Sequence, residues 1–392
     1  MNRIKQMRLA KGLSLEALAR EMGGLVTKQA LSKYEKGLSK PSPTVASRLA
    51  AVLGVKALHL WTSPSISVEF VAYRRQGKLG KKEQVKIEAL VGKSLEDRCR
   101  IQDRLGFSDS FDWMEKGPQI RRLEEAESAA VALRDKWNLG TDAISDLTSI
   151  LENRLVHVME FDSAREFDGI SAKARNEKGA ILAAAVTTRK AISGDRQRMN
   201  LAHELGHLIL RFNARIDEEA MAFRFAGAFL IPAETLRREI GERRTNLQLM
   251  ELFALKRKFG ISLQALLRRL SDLGIIAPTA YKSWMIEIWK RGWRKEEPEP
   301  IAPEKPTWLE RMLTRALAEG VINSAEVKSM GGSFACEIAD TVPRNRAAFL
   351  RLPMEQRRRM LETQAQQARK YYLAKSAEND LESGEIDDHE SN

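Results

Sequence analysis

The sequence predicts a multidomain chain: an all-α N-terminal domain, an α+β middle section with a small sheet leading into one helix, and a helical C-terminal region. Three observations predict it. At 392 residues the chain exceeds what one ordinary core encloses, so two to four units are expected. Short apolar-periodic segments separated by glycine fill residues 1–62, whereas strand-like runs concentrate between residues 155 and 187. A stretch dense in Pro, Glu and Lys, 294–306, reads as a linker ahead of the last helices.

Hydrophobic content of 43% with 30% charged residues describes a soluble globular protein. The net charge of +12 is uneven: residues 1–64 hold eleven Lys and Arg against three acids, while the last seventeen residues hold seven acids and no Lys or Arg. A basic N-terminal domain points to a polyanionic partner such as DNA. Cys99 and Cys336 stand far apart, which argues against a disulfide framework and against a Cys-ligated zinc. No apolar run reaches membrane-spanning length and the first residues lack the apolar core of a secretory signal, so a cytoplasmic protein with no membrane contact is expected.

Taken in order, Ile4, Met7, Leu9 and Leu13 fit a first helix. Ser14 caps a second, with Leu15, Leu18, Ala19 and Met22 inward, and Gly23-Gly24 breaks it. Thr27 caps a third that stops at Gly37, and Pro43 opens a fourth through Val45, Leu49, Val52 and Leu53. Helix, tight break and short helix in a basic domain is the helix-turn-helix arrangement. Residues 63–119 read as a mainly helical connector, with a strand over 68–73, a basic turn from Arg74 to Lys82 and a helix from Glu83 to Leu105. Further helices are expected over 121–137 and around Ile144–Leu151. Strands follow at Leu155–Met159, from Ile170 and at Ala180–Thr187, with a turn at Asp168-Gly169.

Residues 203–207 read His-Glu-Leu-Gly-His. On a helix His203 and His207 face the same way one turn apart, so both imidazoles can hold one Zn²⁺, with Glu204 beside them as general base for an attacking water. A short sheet leading into such a helix is the layout of a minimal zincin, in which an edge strand can pair with an extended substrate. Two His are too few for a catalytic zinc. His59, His157 and His389 have no useful spacing, whereas Asp217, Glu218 and Glu219 open the next helix as candidate third ligands. Helices are then expected over 217–229, 232–240, 246–258 and 262–272, a hairpin from Trp308 to Ala339, a helix from Pro353 to Leu373, and an acidic disordered tail over 376–392.

Two segments carry family resemblances. Leu13–Arg20 (LSLEALAR) followed by Val26–Gly37 (VTKQALSKYEKG) resembles the lambda-repressor-like XRE family across about sixty residues. That resemblance implies a third helix in the major groove of a double-stranded DNA operator, with Thr27, Lys28, Gln29, Ser32 and Lys33 facing bases and phosphates. Leu15 departs from it, standing where the family often has a phosphate-touching Gln. Gly194–Leu210 (GDRQRMNLAHELGHLIL) with Glu219–Pro232 (EAMAFRFAGAFLIP) resembles the ImmA/IrrE metallopeptidases, over residues 120–275. This implies Glu219 as the third zinc ligand, with Glu218 as the alternative, and Ala222 as a small residue where two helices approach. Phe223 departs from the pattern, which commonly has Asn there, and so lacks a hydrogen bond to the site. For the oxyanion, Arg196, Arg198 or a Tyr are candidates among which the sequence does not choose.

The expected boundaries are 1–62 helix-turn-helix, 63–119 connector, 120–275 peptidase-like domain, 276–306 helix and linker, 307–375 helical region and 376–392 tail. The expected function is a DNA-binding regulator with a zinc-dependent endopeptidase, latent activity allowed for. Its protein substrate would be a repressor or antitoxin, its own helix-turn-helix domain included, in a stress, phage or toxin–antitoxin setting. The competing reading is a non-enzymatic transcription factor or antitoxin-like protein whose zincin-like domain senses a metal, ligand or partner; a homodimer is open under both.

Overall fold

The structure, a computed structural model, describes residues 3–55, 57–61, 65–73, 80–162, 169–213, 216–294 and 296–331, with scattered positions between 353 and 369. The chain divides into two compact units, 1–312 and 313–392.

The first unit opens with α1 (Arg3–Ala10), α2 (Leu15–Glu21), α3 (Lys28–Glu35) and α4 (Pro43–Leu53), closed by a 3-10 turn at Ala57–Leu60. Ser14, Thr27 and Ser42 cap α2, α3 and α4, accepting hydrogen bonds from Ala17 N, Ala30 N and Val45 N. Ile4, Met7, Leu18, Leu31, Leu49 and Leu53 form the core. Leu13 packs against that core from the loop after α1 instead of from the helix. Arg8, also buried, ties α1 to α3 through Glu35 at 2.6 Å and to the loop through the Leu13 carbonyl at 2.7 Å.

Residues 63–119 are not a connector. They supply β1 (Ser67–Tyr73) and α5 (Lys81–Leu105) to the central layer of the unit. β1 pairs antiparallel with β4 (Ile170–Arg175), which pairs antiparallel with β5 (Ile181–Arg189), and β5 runs parallel to β3 (Val156–Phe161); the order is β1-β4-β5-β3. Ile87, Val91, Leu95 and Cys99 of α5 cover one face of the sheet against Ile170, Ala172, Ala174, Ala183 and Ala185. Alanines at these positions let helix and strand backbones come close. Of the expected basic turn, residues 74–79 lie outside the described residues while Lys81 and Lys82 already open α5; the 163–168 stretch, with Asp168 of the expected turn, also lies outside them.

α5 also carries the helix-turn-helix domain. Arg3 of α1 and Glu96 of α5 form a buried ion pair, with Arg3 Nη2 donating to Glu96 Oε1 at 2.6 Å and the Ser65 backbone N–H donating to the same carboxylate. Burial pushes the Glu96 carboxyl up, but the hydrogen bonds and charge of Arg3 outweigh it and leave it below the usual carboxylate range.

The other face of the sheet carries α9 (Gly194–Ile209), which crosses α10 (Glu218–Leu230). Around them stand α6 (Asp112–Glu115), α7 (Leu123–Lys136), α8 (Leu147–Asn153), α11 (Ala233–Ile240), α12 (Leu249–Phe259), α13 (Leu263–Asp272) and α14 (Pro278–Lys290). A two-stranded parallel pair, β2 (Gln119–Ile120) with β6 (Arg211–Phe212), was not foreseen; two residues carry no periodicity to read.

The Pro/Glu-rich stretch is likewise not a free linker. It is a strap across the N-terminal half of α9. Gly194 N donates to the Ile301 carbonyl at 2.7 Å, and a β-carbon at Gly194 would lie 2.1 Å from the Ala302 oxygen, so only glycine lets the strap pass. Gln197 and Glu304 exchange two hydrogen bonds, at 2.7 and 2.8 Å. The Glu304 carboxylate pairs with buried Arg198 and accepts from Thr148 N. Glu297 pairs with fully buried Lys256 at 2.8 Å and accepts from Leu263 N at the start of α13. Two of the strap's acids, Glu297 and Glu304, thus neutralise buried cations.

α15 (Trp308–Ala318) begins in the first unit, where the buried Glu152 carboxylate accepts from Thr307 N and Trp308 N, its first amides. The second unit is described mainly through α16 (Ser324–Gly331), where Asn323 and Glu326 cap each other reciprocally. The hairpin to Ala339, most of the 353–373 helix and the acidic tail lie outside the described residues.

Candidate metal centre

The H-E-x-x-H residues sit in the C-terminal half of α9, buried between the sheet and α10. Gly206 and Ala222 make the crossing: a β-carbon at Gly206 would stand 3.1 Å from Phe225 and 3.4 Å from the Ala222 backbone. This close approach brings Glu219, in the first turn of α10, onto the two imidazoles. His203 Nε2 and His207 Nε2 are 3.1 Å apart, Glu219 Oε2 lies 3.3 Å from the former and Oε1 3.4 Å from the latter. A tetrahedral ion with bonds of about 2.0–2.1 Å sets its ligand atoms roughly 3.3 Å apart, so the donor set fits Zn²⁺ in both chemistry and spacing. Both His are buried while the Glu219 side chain is 47% exposed, leaving the fourth side of the group toward solvent. Hydrogen bonds from His203 and then His207 hold the Glu219 carboxyl well below the usual carboxylate range, the state a metal ligand needs. Glu218, the alternative, is exposed and outside the group.

Glu204 is buried beside the His pair. Gly169, at the start of β4, is pressed against it: a β-carbon there would lie 2.7 Å from Glu204 Oε1. Sequence reading marked Gly169 only as a turn residue, and its approach to a carboxylate 35 positions away has no local signal. Phe223, noted as a departure, packs its ring 4.2 Å from that of His203, so an apolar wall stands where a hydrogen-bonding side chain was expected. Of the oxyanion candidates, Arg198 is excluded, since its guanidinium is committed to Glu304 and to the Ile144 carbonyl. Arg196 is exposed, two turns before His203. His157 is fully buried between Gln102 and Trp308, and desolvation pushes it well below the ordinary imidazole value, as befits a core residue.

On α3, Leu31 faces the core while Thr27, Lys28, Gln29 and Lys33 are exposed and Ser32 half-exposed. All five residues that the resemblance implies are therefore at least partly open to solvent. Lys28 is ion-paired with Glu16 of α2, and its hydrogen bond lowers the Glu16 carboxyl to about 2. Leu15 packs partly buried against the domain core.

Fold and site together define a helix-turn-helix chain with a zincin-like α+β domain. Residues 4–60 match the family model described as helix-turn-helix, and residues 190–271 match that of the IrrE N-terminal-like domain, a metallopeptidase-type family. The chain is thus a fusion of these two domains, as the resemblances implied. No curated protein matches it. No helix among the described residues is long and apolar enough to cross a membrane.

Proposed function

We propose that this protein is a cytoplasmic DNA-binding regulator whose second domain is a zinc-dependent endopeptidase acting on a protein, with a repressor or antitoxin as the substrate class. The observation that carries this is the convergence of His203, His207 and Glu219 at tetrahedral ligand spacing with Glu204 buried alongside. Those three side chains would hold the ion, which when bound supplies a Lewis acid that polarises a carbonyl and activates water. Glu204 then takes the proton of the attacking water and delivers it to the departing amide nitrogen. Gly169 leaves Glu204 the room to do so. β1, at the sheet edge, ends beside Ile170 in register, one residue from Gly169, so its outer side is placed to align an extended peptide by backbone hydrogen bonds. The exposed face of α3 would enter the major groove of an operator.

Incubation of the zinc-loaded protein with candidate repressors, wild type against Glu204→Gln, tests the enzyme reading. The wild type should cleave and the variant should be slower by roughly 10²–10⁴-fold or more, with zinc content equal. Equal behaviour of the two, both holding metal, would make the domain a sensor. For the DNA face, Lys33→Ala should weaken binding to all sequences and reduce the salt slope by about one.

A further inference from the structure

Beside the metal centre lies a cavity of about 450 Å³ between α9, α10, α13 and the start of α7. Phe223 is common to both: its ring packs on His203 and lines the cavity. Met199, one turn before His203 on α9, forms another wall, with Leu123 opposite and the small residues Ala220, Gly227 and Ala265 leaving the interior open. Three arginines, Arg224, Arg268 and Arg269, border it. They share two carboxylates: Arg224 pairs with Glu127 at 2.6 Å and Asp272 at 3.2 Å, Arg268 with Asp272 at 2.9 Å and Arg269 with Glu127 at 2.6 Å. The guanidinium heads are thus turned to acids and their aliphatic stems face the cavity, which leaves it an apolar interior despite the basic residues around it.

We propose that this cavity receives a large apolar side chain, of leucine, methionine or phenylalanine size, from the substrate residue next to the bond that is cut. This rests on the peptidase reading above. The volume exceeds what an alanine or serine would fill, and Leu123, Met199, Phe223 and the arginine stems give an apolar side chain its walls. The Phe223 ring, which packs on His203, puts the occupant one ring away from the ligand group and so within a side chain's reach of the scissile carbonyl. The departure from the family pattern at Phe223 thereby becomes a determinant of what is cut, since an amide at that position would put a polar group into the wall.

Binding of two metal-chelating probes to the zinc-loaded protein tests the assignment without turnover: a succinyl hydroxamate bearing an isobutyl group and its unsubstituted analogue. Burying the isobutyl group should tighten binding about tenfold or more in the wild type. Ala265→Phe, which fills the cavity, should abolish that gain and leave the unsubstituted probe unchanged; Ala265→Leu should reduce it and serves if the larger variant does not fold. If the wild type holds zinc and binds both probes equally, or if filling the cavity leaves the gain intact, the assignment is overturned and the peptidase reading stands. If the wild type holds no zinc, the metal centre is overturned and the assignment with it.

Discussion

The helices α3 and α9 both present functional side chains, and they are built in opposite ways. α3 is eight residues long, held by one cap, one buried leucine and the Glu35 pair to Arg8, and the side chains it offers a partner are exposed or half-exposed. α9 is sixteen residues long, sandwiched between sheet and α10, strapped at its N-terminal half, and its chemical groups are buried. A surface that must fit a polyanion keeps its cations solvated, where a small rearrangement costs little. A site that must hold a proton acceptor and three ligands in fixed positions has them over-determined by packing. Substitutions around α9 should therefore be costly to the fold or to turnover, and those around α3 should change affinity alone.

The largest effect is expected at the strap. Glu304→Ala leaves Arg198 buried without its carboxylate, and about 3–5 kcal/mol of stability should be lost in denaturant unfolding. A loss below about 1 kcal/mol would show that the strap is an ornament on α9 and not part of its support. Next comes Gly169→Ala, whose methyl group must displace the Glu204 carboxylate. Zinc content should be unchanged while kcat falls on the order of tenfold to a hundredfold. Acid should act at the junction of the two domains. Because Arg3 holds the Glu96 carboxyl below its unfolded value, the stabilisation from this pair is present above the ordinary carboxylate pKa of about 4.3 and is lost as the pH falls through the depressed folded value. NMR signals of α1 followed downward from pH 7 should report that loosening, and Glu96→Gln should show it already at neutral pH. The smallest effect belongs to α3: Glu16→Gln frees Lys28 from its ion pair, and operator affinity at low salt should rise by no more than about two- to fivefold. No rise would place Lys28 off the DNA.

What could be read from the sequence divides along the same line. The caps Ser14 and Thr27, Pro43 in the first turn of α4 and the His pair one turn apart are local patterns, and the structure has them where the sequence put them. Glu219 needed the resemblance, because three consecutive acids at 217–219 have equal claims until the crossing at Gly206 and Ala222 selects one face. β1 and α5 were misplaced as a connector because their partners lie about a hundred residues onward, in β4 and β5. The strap was misread for a related reason. Pro and Glu enrichment describes a chain that avoids collapsing on itself, and says nothing of Arg198 or Lys256 waiting elsewhere to be neutralised.

The buried Arg3–Glu96 pair makes α5 a shared beam, with α1 on one side and the sheet of the metal centre on the other. A helix-turn-helix domain fixed this way is not on a tether. Two copies seated on half-sites one turn apart, about 34 Å, would hold their two clefts at a single separation and aim. Arg8 and Glu35 tie α1 to α3 in turn, so the exposed face of α3 is held in one orientation to α5 and to the sheet that α5 covers.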